Sequence, residues 1–260
     1  MRLIIVNLLA CYLFCVCVAY ADITANLISW WKFDDGSNTT AVDSSSNGNS
    51  GTLTNGPAWT TGNIGGAVSF DGVDDVVSFG AMSSTQGQSH MTWAFWVYAT
   101  TFVGNNSFFV GKGNPNMATE MAWAVFNASV SWRGTTRDIG AFVNSDLASN
   151  DTACFTSSQP LTNAQWNHVV VVFDGTLTGN ENRLTFYING SALSLTANDC
   201  TGTIPTSTPT SSAAVTVGNS ADNARAFKGL IDEVRIYSRS LSSSDVTELY
   251  NSYTHTAATK

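Results

Sequence analysis

The chain has 260 residues, 19 acidic against 11 basic side chains and a formal net charge of −8, with only 12% charged residues. That balance excludes the basic footprint that nucleic acid or an anionic bilayer demands. Hydrophobic residues at 43%, with 8 tryptophans, supply ample apolar surface for a core and argue against disorder. A chain of this length fits one large all-β sandwich as a single domain.

Arg2 is the only charge before Asp22, and the apolar run Leu3 to Tyr20 closes on Val18-Ala19-Tyr20-Ala21, an A-x-A cleavage pattern. Residues 1–21 are therefore expected to be a secretory signal removed after Ala21, leaving a secreted domain over 22–260 that does not insert in a membrane. An uncleaved anchor helix is the alternative, because the run approaches spanning length. Loss of Arg2 leaves 19 acids against 10 bases, a net charge of −9. Cys11, Cys15 and Cys17 depart with the signal, so Cys154 and Cys200 remain. In an oxidising compartment two cysteines most simply form one disulfide, with two free thiols as the alternative. Such a loop closure contributes about 3 to 4 kcal/mol in the chain-entropy model. The absence of a C-x-x-C pair removes zinc-ribbon and thioredoxin-type chemistry.

Beyond Ala21 the spacing predicts strand after strand: 27–33, 67–70, 76–79, 91–98, 108–112, 121–126, 139–143, 166–173, 184–188, 215–218 and 230–237. Short runs separated by Gly, Asn, Asp, Ser and Thr clusters mean a two-sheet sandwich or jelly roll. Met91 to Tyr98 and Val169 to Phe173 are apolar on both faces, as central strands covered on both sides would be. Asp71-Gly72 reads as a hairpin turn, with a calcium site built from Asp71, Asp74 or Asp75 as the alternative; Asn189-Gly190 reads as a hairpin turn outright. The Thr-, Ser- and Pro-rich stretch 200–213 reads as a long surface loop. Ser242-x-x-Asp245 predicts the cap of one C-terminal helix closing an end of the sandwich.

Six ordered blocks resemble laminin-G-like jelly-roll domains of the concanavalin A-like lectin and glucanase superfamily. They are Trp31-Lys32-Phe33-Asp34-Asp35-Gly36, the loop Asp43 to Asn49, Gly66 to Asp75, Trp166-Asn167-His168-Val169, Phe186 to Gly190, and Gly229 to Tyr237. The resemblance spans residues 27–250 and implies two antiparallel sheets, often with a ligand on the concave one. That fold hosts enzymes, lectins and adhesion modules alike, so function has to come from the site.

No nucleophile motif, P-loop or dinucleotide fingerprint is present. None of the four glutamates, Glu120, Glu181, Glu233 and Glu248, belongs to a closely spaced acidic cluster, and strict alternation puts Asp232 and Glu233 on opposite strand faces, so the two facing carboxyls of a glycosidase are missing. His168 shares a strand face with Trp166, Val170 and Val172 and reads as a core histidine. The same alternation places Asp232 with Leu230, Val234 and Ile236 on an apolar inward face, where a carboxylate needs a partner or a metal. Laminin-G-like domains often carry structural calcium, and Asp43, Asn47 and Asp232 are the candidate oxygen ligands, with hydrogen bonding to a loop backbone as the alternative. Trp132, beside Arg133, is the first choice for an exposed ligand contact. Asn38, Asn105, Asn127, Asn150 and Asn189 lie in N-x-S/T sequons. The expected function is a non-catalytic binding module for glycan, with an extracellular protein as the alternative partner and a lectin-fold hydrolase or lyase as a third reading.

Overall fold

The structure, a computed structural model, describes residues 22–102, 106–114, 120–128, 139–145, 152–156 and 158–258. The expected signal, 1–21, lies outside the described residues. In chain order the first strands are β1 (Leu27–Trp31), β2 (Thr40–Ala41), β3 (Gly51–Thr54), β4 (Ala58–Thr61), β5 (Gly66–Asp71), β6 (Val76–Ser78), β7 (His90–Tyr98) and β8 (Ser107–Lys112). The rest are β9 (Trp123–Asn127), β10 (Ile139–Val143), β11 (Cys154–Phe155), β12 (Trp166–Asp174), β13 (Leu184–Ile188), β14 (Ser191–Leu193), β15 (Val215–Val217) and β16 (Lys228–Tyr237). A single turn, α1 (Asn180–Arg183), a long helix, α2 (Ser243–Ala258), and two 3-10 turns, Ser83–Thr85 and Ala197–Asp199, complete the regular structure among the described residues.

One antiparallel sheet runs β14-β13-β12-β7-β16-β5-β4, with β1 also paired to β16; the other runs β11-β10-β9-β8-β15-β6-β3-β2. All eleven expected strands are present. The strands that periodicity overlooked, β2, β3, β4, β11 and β14, are only two to four residues long, and four of them end a sheet. Edge strands are kept short to discourage pairing with other chains, which also leaves too few residues to display an apolar alternation.

The two-residue period of β7 sends Met91, Trp93, Phe95 and Val97 between the sheets. There Trp93 meets Trp123 at 5.0 Å between ring centroids and Phe95 meets Phe109 at 5.5 Å. The opposite, outer face of the first sheet is apolar too, because α2 covers it: Ala94, Trp96, Val170, Val172 and Tyr187 pack with Val246, Leu249 and Tyr253. The helix therefore lies across a sheet face and does not close an end of the sandwich. Its start is the expected reciprocal cap, in which Asp245 N donates to Ser242 Oγ at 3.2 Å and Ser242 N donates to Asp245 Oδ2 at 2.8 Å. Such a cap contributes about 1 kcal/mol.

Asn189 and Gly190, at φ 50° and 80°, form the two-residue turn that pairs Ile188 with Ser191, as expected of a hairpin with both central residues left-handed. Asp71-Gly72 is not a hairpin: β5 belongs to the first sheet and β6 to the second, so this segment crosses between sheets. The stretch 200–213 is a loop laid along the sandwich, where Thr208 N donates to Gln88 O and Thr208 Oγ1 to Thr85 O. Among the described residues no helix is long and apolar enough to cross a membrane.

Candidate functional site

The outer face of the first sheet is organised by one irregularity in β16. Asp232 lies opposite Trp96 and Arg235 opposite Ala94, so three steps along β16 match two along β7. The extra residue is a β-bulge, with Glu233 in the left-handed region at φ 55°. Side-chain parity reverses across it: Ile231, Val234 and Ile236 point into the core, whereas Asp232, Arg235 and Tyr237 take the outer face. This corrects the expectation that Asp232 shares an inward face with Val234 and Ile236. Asp232 is nonetheless fully buried, with Oδ2 accepting from Ile64 N at 2.9 Å and Oδ1 unpartnered among the described residues. Burial, together with the charges of Glu233 and Asp34, pushes its pKa up to about 8.

Two rungs cross this face. In the buried rung Asp232, Trp96 and His168 stand side by side on β16, β7 and β12. His168 is enclosed by Trp96, Tyr250 and Tyr253 at 5.0, 5.8 and 5.5 Å, and burial with the nearby Arg235 charge lowers its pKa to about 3. It is a neutral core histidine, as its strand neighbours implied. Two residues along the strands, the open rung aligns Ser69, Leu230, Tyr98 and Trp166 across four strands. All four are half-buried, and the Tyr98 and Trp166 ring centroids lie 5.7 Å apart. A groove of about 440 Å³ runs over Ser69, Tyr98 and Leu230, edged by Thr100, Thr101 and Lys228.

On the other side of Asp232, a cleft of about 450 Å³ is lined by Trp30, Lys32, Asp34, Glu233, Arg235 and Tyr253 among others. Trp30 Nε1 donates to Glu233 Oε2 at 2.7 Å, and the Arg235 guanidinium lies 4.0 Å from the Trp30 ring centroid and 5.2 Å from that of Tyr253. Arg235 Nη2 approaches Glu233 Oε2 at 3.5 Å. Burial raises the Glu233 pKa, opposed by Arg235 and by the Trp30 hydrogen bond. Sequence reasoning passed over this cleft because it followed the single acid Asp232 and left Glu233 and Arg235 on the presumed opposite face.

Asp43 and Asn47 hydrogen-bond to backbone, the alternative weighed against calcium. Asp43 Oδ1 accepts from Trp30 N at 3.0 Å and Ser45 N at 2.9 Å, while Oδ2 accepts from Asn49 N at 2.9 Å. Asn47 Nδ2 donates to Leu27 O and Ile28 O. The carboxylate thus accepts from three backbone N–H groups and ties the loop to β1. Asp232 shares none of these partners, so Asp43, Asn47 and Asp232 are not assembled into one ligand set. At the sheet crossing the carboxylates of Asp71, Asp74 and Asp75 lie within 4.8 Å of one another; there Asp75 Oδ2 accepts from Asp71 N and Asp71 Oδ1 from Val73 N. Trp132 and Arg133 lie outside the described residues. Cys154 and Cys200 are joined in a disulfide. Of the sequon asparagines that are described, Asn38 and Asn189 are exposed and Asn127 is buried.

A family model described as the concanavalin A-like lectin/glucanases superfamily matches residues 70–247. Among solved structures, domain 4 of AbnA, a GH43 extracellular arabinanase from Geobacillus stearothermophilus in complex with arabinotriose, is 22% identical with a TM-score of 0.61, over 86% of this chain and 98% of that one. The botulinum neurotoxin serotype D ligand binding domain in complex with N-acetylneuraminic acid is 13% identical, TM-score 0.61, over 88% of this chain and 51% of that one. A Trypanosoma rangeli sialidase is 14% identical, TM-score 0.61, over 89% of this chain and 33% of that one. No curated protein matches the sequence. At these identities the structural likeness is one of fold, and together with the family match it establishes that the chain belongs to the concanavalin A-like lectin/glucanases superfamily.

Proposed function

We propose that this chain, freed of residues 1–21, is a secreted, non-catalytic module that binds carbohydrate through the open rung Ser69–Leu230–Tyr98–Trp166. The observation that carries the reading is the half-buried Tyr98–Trp166 pair, aligned in register with Leu230 and flanked by the hydroxyls of Ser69, Thr100 and Thr101 and by Lys228. Aromatic faces offer an apolar surface for the C–H face of a sugar ring, and the bordering polar groups meet its hydroxyls. Four strands at about 4.8 Å spacing make the platform about 14 Å long. Among the described residues no carboxylate lines the groove, so this surface does not call for calcium. The arabinotriose and N-acetylneuraminic acid bound to two relatives of the same fold support the reading. The non-catalytic part is supported by the commitments of the acids: Asp232 is buried against Ile64 N and Glu233 is held by Trp30.

The test is a glycan array with the wild-type chain and with Tyr98→Ala and Trp166→Ala, alongside thermal melts. Related sugars should bind wild type and lose affinity at least about tenfold in either variant, the size expected of an aromatic anchor, with the melts little changed. A folded wild-type chain that binds no glycan would overturn the proposal and leave an extracellular protein as the partner. New reducing ends from a bound polysaccharide would overturn the non-catalytic part.

A further inference from the structure

The cleft beside the bulge shares no residue with the open rung and has a different chemistry. We propose that it is a second ligand site, which takes adjacent hydroxyls of an uncharged sugar or polyol. Arg235 and Tyr253, each more than nine-tenths buried, line it, and Arg235 Nε and Tyr253 Oη have no hydrogen-bond partner among the described residues. Buried polar atoms are nearly always satisfied, by protein, water or ligand, so two such atoms on residues that line one cleft point to something that enters it.

Charge selects the occupant. Lys32 and Arg235 are balanced by Asp34 and Glu233, so an arriving anion meets two carboxylates and an arriving cation meets two bases. A hydroxyl both accepts and donates. One hydroxyl oxygen of a vicinal pair can accept from the Arg235 guanidinium while its neighbour donates to the Glu233 carboxylate. The Trp30 and Tyr253 rings provide apolar walls for the carbon skeleton between them. The site is also held in place before any ligand arrives. Arg235 is stacked over both rings, Glu233 is tied to Trp30 Nε1, and the bulge at Glu233 turns Arg235 outward onto the same face. Fixing donor and acceptor in advance removes much of the ordering cost of binding. The left-handed backbone of Glu233 fits this picture, since strained non-glycine residues cluster at ligand sites.

Because Trp30 Nε1–H donates directly to Glu233, its indole NMR signal, assigned by its loss in Trp30→Phe, reports on the cleft. Methyl glucoside, methyl galactoside and methyl arabinoside are the uncharged probes; glucuronic acid and glucosamine are the charged ones. At least one uncharged probe should shift the Trp30 signal saturably, and the charged sugars should bind it about tenfold more weakly or not at all. Glu233→Gln keeps an oxygen acceptor for Trp30 but loses the charge, and should weaken that binding about fivefold or more while the signal stays folded-like. Tyr98→Ala should leave the Trp30 titration unchanged even if it abolishes binding at the groove, which separates failure of this site from failure of the groove. No saturable shift with any uncharged probe, tighter binding of a charged sugar, or loss of the shift in Tyr98→Ala would each overturn the proposal.

Discussion

His168 and Asp232 stand on either side of Trp96, each directly opposite it across the sheet, and neither hydrogen-bonds to it. The row sits beneath α2, where His168 packs against Tyr250 and Tyr253. Burial drives the two titratable groups in opposite senses, His168 down to about 3 and Asp232 up to about 8, so both are neutral over most of the range between.

That opposition predicts the shape of stability against pH. The folded chain keeps the Asp232 proton up to about pH 8, whereas the unfolded chain releases it near 4, so this group lowers stability as pH rises through that interval. His168 acts in the reverse sense: unfolded it takes a proton below about 6.5, folded only near 3, so stability drops as pH falls through that window. From about pH 4 to 6.5 the two slopes cancel. Thermal melts from pH 3.5 to 8 should show a plateau in the middle with a fall at each end. Asp232→Asn should remove the fall above about 6.5 and His168→Phe the fall below about 4. A variant that keeps the wild-type slope on its own side would show that its residue is not responsible.

Asp43 latches the loop 43–49 to β1 by collecting three backbone N–H groups. Asp43→Ala strands those donors, and leaving buried donors unpaired should cost about 2 to 4 kcal/mol, read as a lower midpoint in urea. Chelator should leave the wild-type melt unchanged, because the carboxylate is satisfied by the backbone. A melt lowered by chelator in wild type but not in Asp43→Ala would instead make Asp43 a metal ligand.

What the sequence reveals depends on how a residue is buried. β7 and β12 are legible because both faces are covered, so their apolar runs are unbroken; the cap of α2 is legible because Ser242 and Asp245 act locally. The edge strands β2, β4, β11 and β14 carry no such pattern. The face of Asp232 is illegible to any argument from strict alternation, because one extra residue reverses the parity. The signal for that reversal does exist. Ile231-Asp232-Glu233-Val234 sets two adjacent acids in a strand covered on both sides, where regular alternation must send one of them into the core, and a bulge is how the chain avoids it. The cleft of Glu233 and Arg235 becomes visible only with that bulge in place. Trp132 and Arg133, the first choice for ligand contact from sequence, fall outside the described residues, and the open rung at Tyr98 takes that role in the proposal.

Cys154 on the edge strand β11 is bonded to Cys200 at the head of the loop 200–213, and Thr201 N donates to Ala153 O beside it. The disulfide thereby fastens an edge of the second sheet to a segment that also hydrogen-bonds near Thr85 and Gln88. With a sequence separation of 46 between the two cysteines, the chain-entropy model gives about 4 kcal/mol of stabilisation, acting mainly on the unfolded chain. Unreduced protein, denatured to expose every side chain, should show no thiol from either cysteine. Reduction, or the paired change Cys154→Ser with Cys200→Ser, should lower the urea midpoint without changing the sugar titrations at Tyr98 or Trp30, since neither site touches β11. Two titratable thiols in the unreduced chain would dissolve the bridge. An unchanged midpoint after reduction would mean that the hydrogen bonds of Thr201 and Thr208 hold the loop unaided.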